Sequence, residues 1–193
     1  MSAYPHSYAL PFNQYRTHHA DLVGLHRLRR RFLSLISHQV HRPHVLLCLG
    51  SNRSTGDSLG PLTGTKIDTR APSNIKIFGT LDNPVHARNL ENTLCLIKDL
   101  YPNPFIIALD ATLGTRQSVG FITLSFGPLR PGSALKKRLP PVGDIHLTGV
   151  VNVNRLIQSL VLQSTPLNLV WHISDFFFEL FASIPYYQLF KPT

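Results

Sequence analysis

Val45-Leu46-Leu47-Cys48-Leu49-Gly50-Ser51-Asn52-Arg53-Ser54-Thr55-Gly56-Asp57-Ser58-Leu59-Gly60-Pro61 is the stretch whose reading decides the fold. Five apolar residues ending on a glycine have the form of a strand buried on both faces. A polar loop then leads to Asp57 and into a helix through Leu59, Leu62 and Lys66, which Ser54 or Thr55 can cap. A carboxylate in a first helical turn is favoured by the free backbone amides there, so Asp57 has a structural explanation as well as a chemical one.

Working outward, the same pattern recurs. Ile75 to Gly79 reads as a second strand, and Asp82 or Asn83 before Pro84 reads as the start of a helix running to about Leu100. Phe105-Ile106-Ile107-Ala108-Leu109 is a third buried run, ending on Asp110, and Val119 to Phe126 alternates as a further strand. Pro128 to Pro141, with Lys136, Lys137 and Arg138, reads as a loop. Asn152 to Gln163 looks helical, Leu167 to Ile173 extended and Asp175 to Ile184 helical. Strands alternating with helices imply crossover connections. The expected architecture is therefore α/β, a three-layer α/β/α arrangement around a mainly parallel sheet.

Before this core lies a different segment. Residues 1–44 hold six Arg, no Lys and one acid, Asp21, and so contribute +5 of the formal charge of +9. Residues 1–19, rich in Pro, His and Tyr, read as an extended arm. Leu22, Leu25, Leu28, Phe32, Leu33 and Ile36 then recur at helical spacing, with Arg27, Arg29, Arg30 and Arg31 largely between them. The expected organisation is a basic arm and amphipathic helix over 1–44, followed by an α/β domain over 45–193. The helix can dock on that domain or on a second subunit of a homo-oligomer. Its charge could attract nucleic acid or an anionic membrane, but no nucleic-acid motif or aromatic stripe accompanies it, which argues against both.

Composition narrows the remaining classes. An apolar share of 43% suits a globular chain, and 193 residues suit one domain. The two cysteines, Cys48 and Cys95, form neither a metal motif nor a disulfide framework and point to a reducing, cytoplasmic compartment. The N-terminal stretch lacks the apolar core of an export signal, and His172, Asp175, Glu179 and Pro185 interrupt the most apolar region short of a membrane span.

Ligands of open parallel sheets gather outside the carboxyl ends of the strands. Three strands here end in polar residues: Asn52, Arg53 and Asp57; Asp82, Asn83 and His86; Asp110 and Thr112. Asp110 closes an apolar run and would lose hydration unless paired or bonded. Two carboxylates sharing one site can activate water and protonate a leaving group, which makes Asp57 and Asp110 the candidate catalytic pair and needs no cofactor. With His146 they form two oxygens and a nitrogen suited to a divalent metal. The residues leave both chemistries open. A serine or cysteine nucleophile is poorly supported, since no glycine-serine-glycine elbow or Cys–His pairing is present.

Three segments resemble the YyaC-type sporulation family: Ser54 to Pro61, Gly79 to His86 and Pro140 to Gly149. The resemblance runs from about Val45 to Leu162 and leaves the basic head and the Phe-rich tail outside. That family is similar in turn to the spore germination protease and to the hydrogenase-maturation endopeptidases, which share a phosphorylase/hydrolase-like fold. The resemblance implies a sporulating bacterium and a peptidase-like site acting on a peptide or protein. Asp57 and Asp110 match the essential acids of the germination protease, and Arg53, Asp82, Asn83 and His86 are the substrate-binding candidates around them. In the maturation endopeptidases two such acids and a histidine hold metal, for which His146 is the candidate. Fold similarity does not establish proteolysis. The alternative is a non-catalytic sporulation factor that binds a peptide or protein partner in the same cleft.

Overall fold

The structure is a computed structural model of the 193-residue chain, described here for residues 14–70, 75–131, 139–182 and 184. Six strands form one sheet in the order β1-β5-β6-β4-β2-β3: β1 (Gln14–His18), β2 (His44–Cys48), β3 (Lys76–Phe78), β4 (Phe105–Gly114), β5 (Phe121–Phe126) and β6 (Ile145–Val153). β3, β2, β4 and β6 run parallel, and β5 and β1 are added antiparallel at one side. The helices are α1 (Leu22–Ser37), α2 (Leu59–Arg70), α3 (Leu90–Leu100), α4 (Gln158–Gln163) and α5 (Leu167–Ala182).

Alternation along the buried strands sorts side chains into two cores. Leu46, Cys48, Ile107 and Leu109 face α1, α2 and α5, whereas Val45, Leu47, Ile106 and Ala108 face α3. The three-layer arrangement read from the sequence is the arrangement found. Because α2 and α3 lie on opposite faces, β3 is laid down on one side of β2 and β4 on the other. The chain direction across the sheet thus reverses between β2 and β4, and such a switch point opens a crevice at the strands' carboxyl ends.

The basic helix docks on the core. Asp21 caps α1 by accepting the Gly24 amide at 2.9 Å, and Leu28 and Phe32 are wholly buried, with Phe32 edge-on to Phe181 at 5.1 Å. Burying each such side chain contributes about 1.5 to 3 kcal/mol, so the head shares one core with the sheet rather than standing apart from it.

Several local expectations are corrected. Part of the supposed arm is β1, where Arg16 stacks on the Phe121 ring and Thr17 is buried; residues 1–13 lie outside the described residues. The loop read over Pro128 to Pro141 carries a bridge between Leu129 and Val142, with 132–138 outside the described residues. The stretch from Leu167 to Ile173 is the first half of α5 and not a strand. Val170, Ile173, Phe177 and Leu180 bury one helical stripe, a spacing that a continuous apolar run conceals. Asn152 lies within strand β6, which runs to Val153, rather than opening a helix, and the helix there starts at Gln158. Helix α3 begins at Leu90 and not near Pro84, because the Gly50 amide binds the Val85 carbonyl at 2.8 Å and ties that segment to the end of β2.

Candidate active site

Gly50 ends the apolar run of β2 with φ +139, a backbone state that side chains resist, and a Cβ there would strike the Asp57 carbonyl. Gly60, in the first turn of α2, passes so close to Leu49 that a Cβ would collide with its carbonyl oxygen. The Ser51 amide donates to the Asp57 carbonyl at 3.0 Å, closing the loop on itself. Small residues therefore let Asp57, in a 3-10 turn over Gly56–Ser58, fold back over the end of β2.

Asp110 arrives from β4. The pairing of β2 with β4 ends at Cys48 and Leu109, so from Asp110 onward β4 keeps β6 alone as a neighbour. Asp110 stands beside Thr148 in that ladder, and its carboxylate accepts the Ala111 amide at 2.8 Å. Asp57 and Asp110 thus flank the switch point.

Their electrostatics are linked. Part of the Asp110 residue reaches the surface, but dehydration of its carboxyl and the nearby Asp57 charge push its pKa well above the ordinary carboxylate value. Asp57 is also raised by dehydration, with the His86 charge and a backbone bond from Ser51 pulling the other way. A carboxyl raised by dehydration and by a neighbouring carboxylate holds its proton more tightly than it would alone, which is the position of Asp110.

The other candidates divide. Asp82, Asn83 and His86 line one cleft of about 550 Å³ beside β3, and the charge of His86 reaches Asp57. The His86 amide donates to Asn89 Oδ1 at 2.8 Å, and His86 Nδ1 accepts the Arg88 amide at 3.3 Å, which leaves the ring proton of the neutral form on Nε2. Arg53 is exposed in the polar loop and takes no place in the lining of that cleft.

His146 does not complete a metal set with Asp57 and Asp110. It lies on β6 beside Ala108, two positions before Thr148, and its Nδ1 pairs with the Gly127 carbonyl at 2.9 Å. Among the described residues no group of three or more His, Cys, Asp or Glu is arranged to hold a metal ion, so the three-ligand expectation does not fit this arrangement. Cys48 is buried in the core and burial raises its thiol pKa, which removes it as a nucleophile.

Sequence reasoning missed Asp68, Asn89 and Thr93 in the cleft and Thr148 beside Asp110. Asn89 carried a signal: an asparagine three residues after His86 suits a turn in which its side chain takes the His86 amide. Asp68 carried none, since its place in the cleft depends on where α2 lies against β3.

The family described as "Protein of unknown function (DUF1256)" matches residues 17–180. This span takes in the basic helix and most of α5, which the motif resemblance had left outside. The chain is 41% identical over 157 residues to "Uncharacterized protein YyaC" of Bacillus subtilis (strain 168), covering 81% of this chain and 77% of that one. It is similar in fold to the crystal structure of a NiFe hydrogenase maturation protease, HycI, from Thermococcus kodakarensis. That likeness has a TM-score of 0.50 at 14% identity, over 74% of this chain and 92% of the other.

Proposed function

The chain belongs to the DUF1256 family, and we propose that it is a peptidase-like hydrolase with Asp57 and Asp110 as its working pair. The observation that carries this reading is that Asp57 and Asp110 stand at the two sides of the β2/β4 switch point, where the Asp57 charge also helps to raise Asp110. The peptidase-like fold of the maturation protease supports the reaction class. The sporulation setting rests on the motif resemblance, and a cytoplasmic place on the two free cysteines.

The chemistry follows from the asymmetry between the two groups. Asp110, the more strongly raised, keeps the shared proton, and Asp57, beside His86, is the carboxylate that ionises first. A water placed between them and a substrate carbonyl gives its proton to Asp57 as its oxygen bonds to the carbonyl carbon. Asp110 delivers its proton to the leaving amine as the carbon–nitrogen bond breaks.

The test is incubation of the chain with a denatured-protein digest in 18O-labelled water, with mass spectrometry of new carboxyl termini. The wild-type chain is expected to create termini carrying one heavy oxygen, and Asp57→Asn and Asp110→Asn to create none. Unchanged cleavage in both variants, or no cleavage by wild type between pH 4 and 8, would remove the hydrolytic reading and leave a partner-binding cleft.

A further inference from the structure

β3 is the outer strand of the sheet on the side of the active site, three residues long, with Ile77 and Phe78 only partly buried. An outer strand leaves one row of backbone donors and acceptors unpaired in the sheet, which is a template for another extended chain. The 550 Å³ cleft wraps this edge, between Asp68 of α2 on one side and Thr93 and Leu96 of α3 on the other. Its lining mixes apolar residues such as Ile77, Phe78 and Leu96 with polar ones, and Leu96 is 49% exposed. His86, the residue whose charge Asp57 feels, also lines it.

The cleft's charge is opposite to that of the chain. In a protein of formal charge +9, none of the thirteen residues lining it is Lys or Arg, and two are Asp. Asp144 and Asp175 are each paired with a cation, whereas Asp68 and Asp82 enter no ion pair among the described residues. An extended chain in this position would meet the exposed carboxylates of Asp68 and Asp82; Asp57 and Asp110 lie outside the lining, and His86 is the lining residue whose charge reaches Asp57.

We propose that the cleft takes an extended peptide that adds to β3 as a further strand and sets a Lys or Arg side chain against Asp68 and Asp82. This rests on the peptidase-like reading, since it names the substrate class of that site. Main-chain pairing to β3 supplies binding that tolerates many sequences, and the two carboxylates supply selection by charge.

The binding arm of the test uses Asp110→Asn, so that no probe is consumed. Fluorescence anisotropy is measured with a blocked seven-residue peptide of alternating valine and serine around a central lysine. The same peptide is made with central glutamate, and again with lysine but with alternate backbone nitrogens methylated. The lysine peptide is expected to bind roughly tenfold tighter than the glutamate peptide, the scale of two partly exposed charge contacts. Adding Asp68→Asn and Asp82→Asn should shrink that ratio to below about twofold, and backbone methylation should weaken binding by about tenfold. Equal binding of lysine and glutamate peptides, a ratio that survives the two substitutions, full binding of the methylated peptide, or no binding at all would each overturn the proposal. Wild-type cleavage is scored separately. Cleavage without lysine preference overturns this inference and leaves the hydrolase reading standing, whereas selective binding without cleavage supports the inference and removes the hydrolase.

Discussion

Asp110→Asn should make this protein more stable at neutral pH while abolishing hydrolysis. The raised pKa of Asp110 comes first from dehydration and second from the Asp57 charge, and both disfavour the ionised form in the folded state. In the unfolded chain an aspartate ionises near ~3.9. As pH rises through that value the unfolded state gains from ionisation and the folded state does not, so stability falls until the folded group also ionises. Each unit of elevation corresponds to about 1.4 kcal/mol. Asparagine keeps the shape, can still accept the Ala111 amide, and carries no charge to desolvate. Removing a buried carboxyl that must either hold its proton or desolvate its charge is worth on the order of 1 to 3 kcal/mol. In a domain of this size each 1 kcal/mol raises Tm by about 2 to 4 °C. Urea unfolding of wild type and variant should therefore diverge above pH 4 in favour of the variant, and converge below about pH 3.5, where both states are protonated. A variant that is less stable at pH 7, or a difference independent of pH, would refute the argument and make Asp110 an ordinary structural aspartate.

Three further outcomes follow from separate contacts. Asp57→Asn should lower the titration point of Asp110, because one of the two causes holding it up is removed; carbon NMR of the Asp110 carboxyl checks this, and an unchanged midpoint would dissolve the pair. Gly60→Ala should cost about 1 to 3 kcal/mol or more, since the new methyl meets the Leu49 backbone, which cannot step aside, and chemical denaturation reads it. Lys66→Met should cost up to about 2 kcal/mol: Lys66 Nζ lies 2.7 Å from Asp175 and 3.8 Å from the centre of the Trp171 ring. Trp171 is the protein's single tryptophan, so intrinsic fluorescence should shift with it, and an unchanged spectrum at unchanged stability would show that the cation is idle.

The sequence by itself determined the parts of this protein that local physics controls. The apolar runs ending at Gly50 and Asp110 read as buried strands, Ile75 to Gly79 reads as a strand that the structure leaves half-buried at the edge, and the Leu and Phe spacing of the head reads as an amphipathic helix. Parallel strands deliver their following residues to one end, so Asp57, Asp82, His86 and Asp110 could be named before any distance was known. Local pattern failed where two states share a composition. The apolar run into α5 could be a buried strand or a helix, and Gln14 to His18 carries few apolar residues because Phe121 and the β5 backbone hold it in place. Only the tertiary structure decided what those residues do together. It brings Asp110 under the influence of Asp57 and Asp57 under that of His86, turns His146 to Gly127, and brings Asp68 from one face of the sheet to the same cleft as Thr93 from the other. The physical reason is that dehydration and charge coupling depend on through-space distance, and a sequence carries through-space distance only where one element's geometry supplies it.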